Sequence, residues 1–182
     1  MSADILTSNF FELFGLPVSY DVDLGQVQHH YMELQKQVHP DKFANATDQE
    51  KRLSMQQTSW INEAQATLKD PVLRATYLLK LKGVDINLEN ETTMDAAFLM
   101  QQLEMRERLE HISSDDDPLD ALDALAKEVK TDTSEMMHGF AVSYENDQLD
   151  DAREWIRKLQ FMQKANNEID ALTAKIEDEL MG

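Results

Sequence analysis

His39-Pro40-Asp41 places an imidazole and a carboxylate on either side of a proline, between two long stretches with helical periodicity. An imidazole beside a carboxylate can act as a general acid and base, so an enzymatic site is one hypothesis. The sequence supplies neither a nucleophile nor a cluster of metal ligands beside this pair, and either would be needed for a persuasive catalytic site. An isolated tripeptide of this kind more often marks a helix that is stopped by proline and followed by polar loop residues. We therefore predict no catalytic residues and no enzymatic activity.

The other residues that could bind a metal are dispersed along the chain. There is no cysteine, which excludes disulfides, thiol catalysis and thiolate ligation of zinc or an iron–sulfur cluster. His29 and His30 are adjacent, and adjacent residues do not share a helix face. His111 and His138 belong to no Glu-x-x-His pair, so a metal-dependent enzyme in a helical bundle is the weaker hypothesis. Asp115–Asp117 is not followed by the Gly and bidentate Glu of a calcium loop. We predict neither a metal nor a cofactor.

The charge of the chain narrows the choice of partners. Its 182 residues include 17 Lys+Arg and 35 Asp+Glu, a formal net charge of −18. Such a chain has no electrostatic attraction for nucleic acid or an anionic membrane. No apolar run is long enough to span a bilayer. The first nine residues contain an Asp but no Lys or Arg, unlike a secretory or mitochondrial targeting segment. We expect a cytoplasmic protein that binds neither nucleic acid nor membranes.

Composition and charge distribution predict two helical modules. Gly and Pro total only 5 and 4 residues, too few for the turns of an all-β fold. Residues 1–83 carry a net charge of −2 and residues 84–182 a net charge of −16, while most aromatic residues lie in the first half. Gly83 is well placed to follow the last turn of a helix. We predict a first domain over residues 1–80, a linker over 81–90 and a second domain over 91–182.

The first module is predicted to be an antiparallel helical hairpin with a short helix before it. Asn9 is a candidate N-cap for a helix over residues 10–14. Apolar residues then recur at helical spacing in two long segments on either side of residues 39–48, and Asp70-Pro71 supplies an N-cap and a first-turn proline for another helix. The two apolar stripes are Leu24, Val27, Tyr31, Leu34 and Val38, and then Leu53, Gln57, Trp60, Ile61, Ala64 and Leu68.

The second module is predicted to be a three-helix bundle, which makes the whole chain all-α. The first helix spans residues 95–112, and the second begins at Pro118 with Asp117 as its N-cap. The third spans about residues 149–180 and has an apolar seam that repeats near every 3.5 residues. That seam comprises Ala152, Trp155, Leu159, Met162, Ile169, Leu172 and Ile176.

The residues on both sides of the His-Pro-Asp tripeptide resemble the J-domain family. The similarity extends from Phe10 to Tyr77 and carries several motifs at the spacing of that family. They are Phe10-Phe11-Glu12-Leu13-Phe14-Gly15-Leu16, Tyr31 and Leu34 before His39-Pro40-Asp41-Lys42, and Ile61-Asn62-Glu63-Ala64, Leu68, Asp70-Pro71, Arg74 and Tyr77 after it.

This resemblance implies a module that docks on a DnaK-type chaperone and triggers its ATP hydrolysis. Proline stiffens the loop and so reduces the entropy lost on docking. Many J-domains carry several Lys and Arg on the helix before the loop, whereas this helix has only Lys36, with His29 and His30 at positions where cations are common. Electrostatic steering is therefore expected to be weaker and more pH-sensitive than in those proteins. The chaperone-binding residues that the resemblance implies are His39, Pro40, Asp41, Lys42, Lys36 and Tyr31.

The whole chain resembles the HscB family of iron–sulfur cluster co-chaperones. No Gly/Phe-rich linker or cysteine zinc module follows the J-domain, unlike the general protein-folding members. The family implies that the second domain binds the cluster scaffold IscU and that the first stimulates the ATPase of the chaperone HscA; the alternative is a J-protein that recruits a different client. The motifs are Leu13-Phe14-Gly15-Leu16-Pro17, His39-Pro40-Asp41-Lys42-Phe43, Arg74-Ala75, Tyr77-Leu78-Leu79, and Phe98-Leu99-Met100 with Leu103-Glu104 and Arg106-Glu107.

The helix over residues 95–112 has a second apolar face that one bundle does not require. At ~100° per residue, Met94, Phe98, Met105, Leu109 and Ile112 form a core stripe. Leu99, Met100 and Leu103 point elsewhere, which predicts a partner-binding surface, or packing on the J-domain or another bundle helix. Phe161 likewise lies off the seam of the last helix. The predicted scaffold-binding residues are Leu99, Met100, Leu103, Glu104, Arg106, Glu107 and Phe161.

Overall fold

The computed structural model describes the backbone of residues 2–182 and the side chains of residues 5–182. Within this range the chain is helical and contains no strand, which confirms the all-α prediction. No helix in the same range has both the length and the apolar composition that a bilayer crossing requires. The α-helices are α1 (Ser2–Thr7), α2 (Phe10–Leu13), α3 (Leu24–Val38), α4 (Asp48–Lys69), α5 (Pro71–Leu81), α6 (Ala96–His111), α7 (Pro118–Glu145) and α8 (Leu149–Met181), with 3₁₀ turns at Pro40–Phe43, Leu88–Asn90 and Ile112–Ser114.

The chain divides into two compact units, residues 1–83 and 84–182. The junction follows α5, where Gly83 has a φ of +83° that a side chain would disfavour. Its backbone N–H donates to the Lys80 carbonyl at 2.9 Å and so closes the last turn of the helix. The predicted role of Gly83 as the residue that ends this helix is confirmed.

Aromatic residues hold the short helix α2 against α4 and α5 of the first unit. The Phe10 ring stacks on Tyr77 with centroids 4.3 Å apart and meets Trp60 edge-on at 5.0 Å. The Tyr77 hydroxyl accepts a hydrogen bond from the Phe10 N–H at 3.0 Å, and burial raises the pKa of this phenol. Asn9 caps α2 with a full capping box, as its residue type and position predicted. Helix α1 was not predicted from the sequence.

A buried arginine fixes the corner between α4 and α5. Arg74 is buried, donates from Nη1 to the Leu68 carbonyl at 2.7 Å, and places its guanidinium 4.7 Å from the ring centre of Tyr20. The Tyr20 hydroxyl in turn donates to the Pro71 carbonyl at 3.3 Å. Asp70 caps α5 by accepting from two backbone N–H groups, as predicted. These contacts satisfy the Leu68 carbonyl near the end of α4 and the first free N–H groups of α5.

Helices α7 and α8 form a long hairpin that contains most of the second core. Three residues join the two helices, and Asp117 and Pro118 start α7 as predicted. At Gly139 the indole of Trp155 lies so close that a Cβ atom would be 2.6 Å from two of its ring carbons. One buried cluster of this core comprises Phe98, Ile112, Leu122, Leu125, Val129, Met162, Ala165, Ile169 and Ile176.

Helix α6 is the third helix of this unit, and four residues of its predicted apolar stripe pack on the core. Phe98 and Ile112 are buried, and Met105 and Leu109 pack on the core. The prediction was wrong for Met94, which is 85% exposed. Asp95 is the N-cap and α6 begins only at Ala96, so Met94 precedes the helix and the helical period does not place it on the core face.

A polar network binds the segment before α6 to α8. The Glu91 side chain is only 5% exposed, and its carboxylate accepts from Arg153 Nε at 3.1 Å and from Arg157 Nε at 2.7 Å. Gln160 Nε2 donates to the Leu88 carbonyl at 3.0 Å. The hydrogen bonds from Arg153, followed by those from Arg157, lower the pKa of Glu91 from 4.5 to about 2, against the opposing effect of burial.

Replacing Glu91 by Gln should lower the free energy of unfolding by about 3 kcal/mol at pH 7, because the contacts of two arginines with this buried carboxylate lose their charged acceptor. A carboxyl group with a lowered pKa stabilises the fold above its unfolded pKa, and that contribution is lost as the pH falls from about 4.5 to about 2. Urea unfolding followed by circular dichroism at pH 7 and pH 3 measures both effects. The difference in free energy of unfolding between wild type and variant should be smaller at pH 3 than at pH 7. Glu89→Gln, an exposed control, should change this free energy little at either pH. An equal gap at both pH values would contradict this account.

Candidate functional site

The His-Pro-Asp loop is bound firmly to the helix that follows it. Helix α3 ends at Val38, whose carbonyl accepts from the Ser54 hydroxyl of α4 at 2.5 Å and from Thr58 Oγ1 at 3.5 Å. Pro40 then starts a single 3₁₀ turn, and Thr47 caps α4 with a capping box. The loop is therefore short, with the Val38 carbonyl before it bonded to α4 and the Thr47 capping box after it, so a partner meets a largely preformed surface.

His39 and Asp41 both point into solvent. His39 Nδ1 accepts a hydrogen bond from the Asp41 backbone N–H at 3.2 Å, so this nitrogen carries no proton and Nε2 carries the N–H. Asp41 Oδ2 lies 3.6 Å from the same Nδ1, which is longer than a hydrogen bond. The two side chains are 52% and 92% exposed. A free N–H donor and a free carboxylate are thus presented side by side to a partner.

Next to the loop, α3 and the 3₁₀ turn enclose an open depression of about 660 Å³. It brings together four of the six predicted chaperone-binding residues, while Pro40 and Asp41 do not line it. Sequence reasoning missed Met32, an exposed apolar residue, and Gln35. The position of Met32 four residues before Lys36, on one helix face, was the available signal. The lining residues are Tyr31, Met32, Gln35, Lys36, His39 and Lys42.

Asn62 of α4 holds one wall of this depression in place. Its Oδ1 accepts from the Tyr31 hydroxyl at 2.9 Å and from Gln35 Nε2 at 2.7 Å. One turn earlier along α3, Gln28 Oε1 accepts from Gln65 Nε2 at 2.8 Å. Because its hydroxyl proton is already donated to Asn62, Tyr31 offers a partner its ring and no free donor.

Positive charge in the depression is not neutralised internally. Lys36 and Lys42 form no ion pair with any residue whose side chain the structure describes. His29 is placed differently, with Nε2 3.5 Å from a carboxylate oxygen of Glu33 on the same exposed face. The depression therefore favours a partner with an acidic surface. The predicted pH sensitivity of steering by His29 and His30 stays a prediction.

The second unit contains a groove of about 210 Å³ between α6 and α8. Four of the seven predicted scaffold-binding residues line it: Leu99, Leu103, Arg106 and Phe161. The Phe161 ring forms part of the wall by packing edge-on against Phe98 at a centroid distance of 5.6 Å. Its position away from the α8 seam is thus explained by a cavity between two helices.

Three predicted residues do not line this groove. Met100 and Glu107 project from another face of α6, and Glu104 lines a separate polar cavity with Arg108 and Asp132. Leu99, Met100 and Leu103 are 36%, 57% and 51% exposed. None of the three is buried by another helix of the bundle, although Leu99 and Leu103 face α8 across the groove.

Sequence reasoning found Phe161 on the α8 side of the groove but missed two charged residues beside it. Lys164 and Glu168 line the groove together with Phe161, which lies three residues before Lys164 and seven residues before Glu168. This spacing places them on one helix face, and it was the signal that could have found them. Across the groove, Arg106 Nη2 lies 3.7 Å from Glu168 Oε1.

The comparisons with known proteins agree on one family. Residues 94–170 match the family model described as the HSCB C-terminal oligomerisation domain. The "Co-chaperone protein HscB homolog" of Shewanella halifaxensis is 45% identical over 179 residues, covering 94% of this chain and 98% of that protein. That of Shewanella pealeana is 45% identical over 177 residues, with 95% and 99% covered.

Two solved structures extend the similarity to the fold. The chaperone HscB from Vibrio cholerae is 37% identical and superposes with a TM-score of 0.83, covering 95% of this chain and 99% of that one. The human co-chaperone protein HscB is 30% identical with a TM-score of 0.81, covering 91% and 82%. An all-helical chain with an exposed His-Pro-Asp loop, and this similarity over nearly its whole length, lead to one conclusion: the chain belongs to the HscB family of co-chaperones.

Proposed function

We propose that the chain stimulates ATP hydrolysis by the DnaK-type chaperone HscA and delivers the iron–sulfur cluster scaffold IscU to it. The observation that carries the chaperone half is the exposed His39–Asp41 pair on a loop anchored to α4. The chain itself acts as an activator and catalyses no reaction. We place this function in the cytoplasm and assign the chain no membrane or nucleic-acid partner.

In the chaperone complex, the loop and the adjacent depression form one contact surface. The His39 Nε2–H donates to an acceptor on HscA, and the Asp41 carboxylate pairs with a cationic side chain there. Lys36 and Lys42 face acidic groups, and their free ammonium groups speed association more than they tighten the complex. The exposed Met32 contributes apolar contact beside the Tyr31 ring.

In the scaffold complex, the groove between α6 and α8 receives an apolar part of IscU. A cavity of roughly 150 Å³ can hold a benzene-sized group, so the 210 Å³ groove fits at least one large apolar side chain. Leu99, Leu103 and Phe161 supply its apolar walls, and Met100 extends the apolar surface beyond it. Glu104 and Glu107 lie at the rim, where charges mainly select the partner.

The two functions should separate when the chain is divided at its structural junction. Residues 84–182 have their own buried core, so we expect this fragment to fold as a helical domain and to bind IscU with nearly the affinity of the full chain. It should not stimulate HscA, and in excess it should suppress the added stimulation that IscU gives with the full chain. Circular dichroism, calorimetric titration with IscU and a steady-state ATPase assay provide the measurements.

Two results would contradict the proposal. The first is that the fragment is helical but neither the fragment nor the full chain binds IscU, which would point to a different client. A full chain that fails to stimulate HscA with or without IscU would remove the chaperone half of the function.

A further inference from the structure

The groove between α6 and α8 carries free positive charge within a strongly acidic unit. Residues 84–182 contain nine Lys and Arg against 25 Asp and Glu. Seven of the nine cations lie within 4.0 Å of a carboxylate oxygen. The other two, Lys130 and Lys164, form no ion pair with any residue in the described part of the chain. Lys164 lines the groove.

The second cation of the groove is held only weakly. Arg106 Nη2 is 3.7 Å from Glu168 Oε1, and the two side chains are 55% and 39% exposed. Exposed pairs with such geometry contribute little stability. A guanidinium has five donors in a planar arrangement that matches a carboxylate. Arg106 can therefore exchange Glu168 for a better-placed carboxylate without a large loss.

We infer that the groove recognises a segment of its partner in which a carboxylate lies close to an apolar side chain. The apolar side chain enters between Leu103 and Phe161. The carboxylate binds Arg106 and Lys164 and displaces Glu168, which acts as an internal competitor for the same cation. This inference rests on the proposed binding of IscU, and it adds Lys164 and Glu168 to the residues that select the partner.

Charge complementarity favours the scaffold over a second copy of this chain as the occupant. A second copy would bring another unit with a net charge of −16 against the first, and like charges of this size oppose association. A basic segment would be attracted to most of the surface of this unit but would meet Arg106 and Lys164 at the groove. An acidic–apolar segment fits both the apolar walls and the local charge.

Two charge reversals on α8 test the inference in the full-length chain. Lys164→Glu should weaken calorimetric binding to IscU by about three- to fivefold at low salt, and Glu168→Lys should strengthen it by about the same factor. Both effects should shrink as salt is raised, because exposed charges are screened. Lys130→Glu and Glu177→Lys are matched controls, since they change the net charge equally at exposed positions away from the groove. Circular dichroism should show the same helical content for all four variants.

The outcomes separate this inference from the proposed function. Wild-type chain that does not bind IscU would remove both. If the wild-type chain binds IscU, the inference alone is overturned in either of two cases. In the first, the Lys164 and Glu168 variants have the same affinity as their controls; in the second, their affinities change in the direction opposite to that expected. If sedimentation shows that the wild-type chain is a dimer and that Lys164→Glu is a monomer, the groove binds a second copy of the chain. That result would also overturn the inference.

Discussion

Replacing His39 by Gln should abolish stimulation of the HscA ATPase while leaving the chain folded. The substitution removes the imidazole whose Nδ1 accepts the Asp41 N–H and whose Nε2–H faces solvent. Half of this side chain is exposed, so its loss should scarcely move the thermal midpoint or the helical content. The experiment is a steady-state ATPase titration of HscA with wild-type and variant chains, with thermal melts of both.

The matched control is His138→Gln, which removes an exposed imidazole from α7 in the second unit. It should stimulate HscA as wild type does. If His39→Gln also stimulated normally, the assignment of the loop to the chaperone would fail. A variant that lost both activity and helical content would show that His39 supports the fold, contrary to its exposure.

Replacing Leu99, Met100 and Leu103 by Ala should weaken IscU binding by at least ~2–3 kcal/mol, which is more than tenfold in affinity. Full burial of one such side chain is worth roughly 1.5–3 kcal/mol, and partial burial and ordering reduce the sum. Binding energy concentrates in a few central residues of this kind. Stability should change little, because the side chains are exposed in the free chain and Ala favours helix. Stimulation of HscA without IscU should persist, and the additional effect of IscU should disappear.

The control for this variant is the triple replacement of Met94, Leu180 and Met181 by Ala. These residues are also apolar and exposed in the second unit, but they do not line the groove. Calorimetry should give this control the wild-type affinity. Unchanged affinity of the Leu99, Met100 and Leu103 variant would reject the proposed surface, and a large drop in its melting temperature would show that the face contributes to the core.

Helix boundaries were the part of the fold that the sequence predicted best, because local chemistry determines them. Asn9, Asp70 and Asp117 each accept from backbone N–H groups at the starts of helices, and prolines follow two of them. A cap satisfies groups within three residues of itself, so it can be recognised without knowing the tertiary structure.

The faces of α6 were predicted only in part, because periodicity gives the angle between residues but not the position of neighbouring helices. Leu99 and Leu103 do line the groove, but Met100 and Glu104 point elsewhere. The contribution of α8 to the groove could not be read from α6 alone. Glu91 is a further case, since a carboxylate in an irregular segment that meets arginines more than 60 residues later leaves no local pattern.

The contact between Gly139 and Trp155 also determines how α7 and α8 are aligned lengthwise. A regular apolar seam can be satisfied in several alignments, and one helical turn of sliding displaces a helix by ~5.4 Å. Gly139 is the only glycine in α7, and the indole lies where any Cβ atom would clash. One turn away it would meet Met136 or Ser143, which carry side chains. The absent side chain of Gly139 and the large indole of Trp155 thus select a single alignment of the hairpin. Misaligned hairpins are therefore disfavoured as the chain folds.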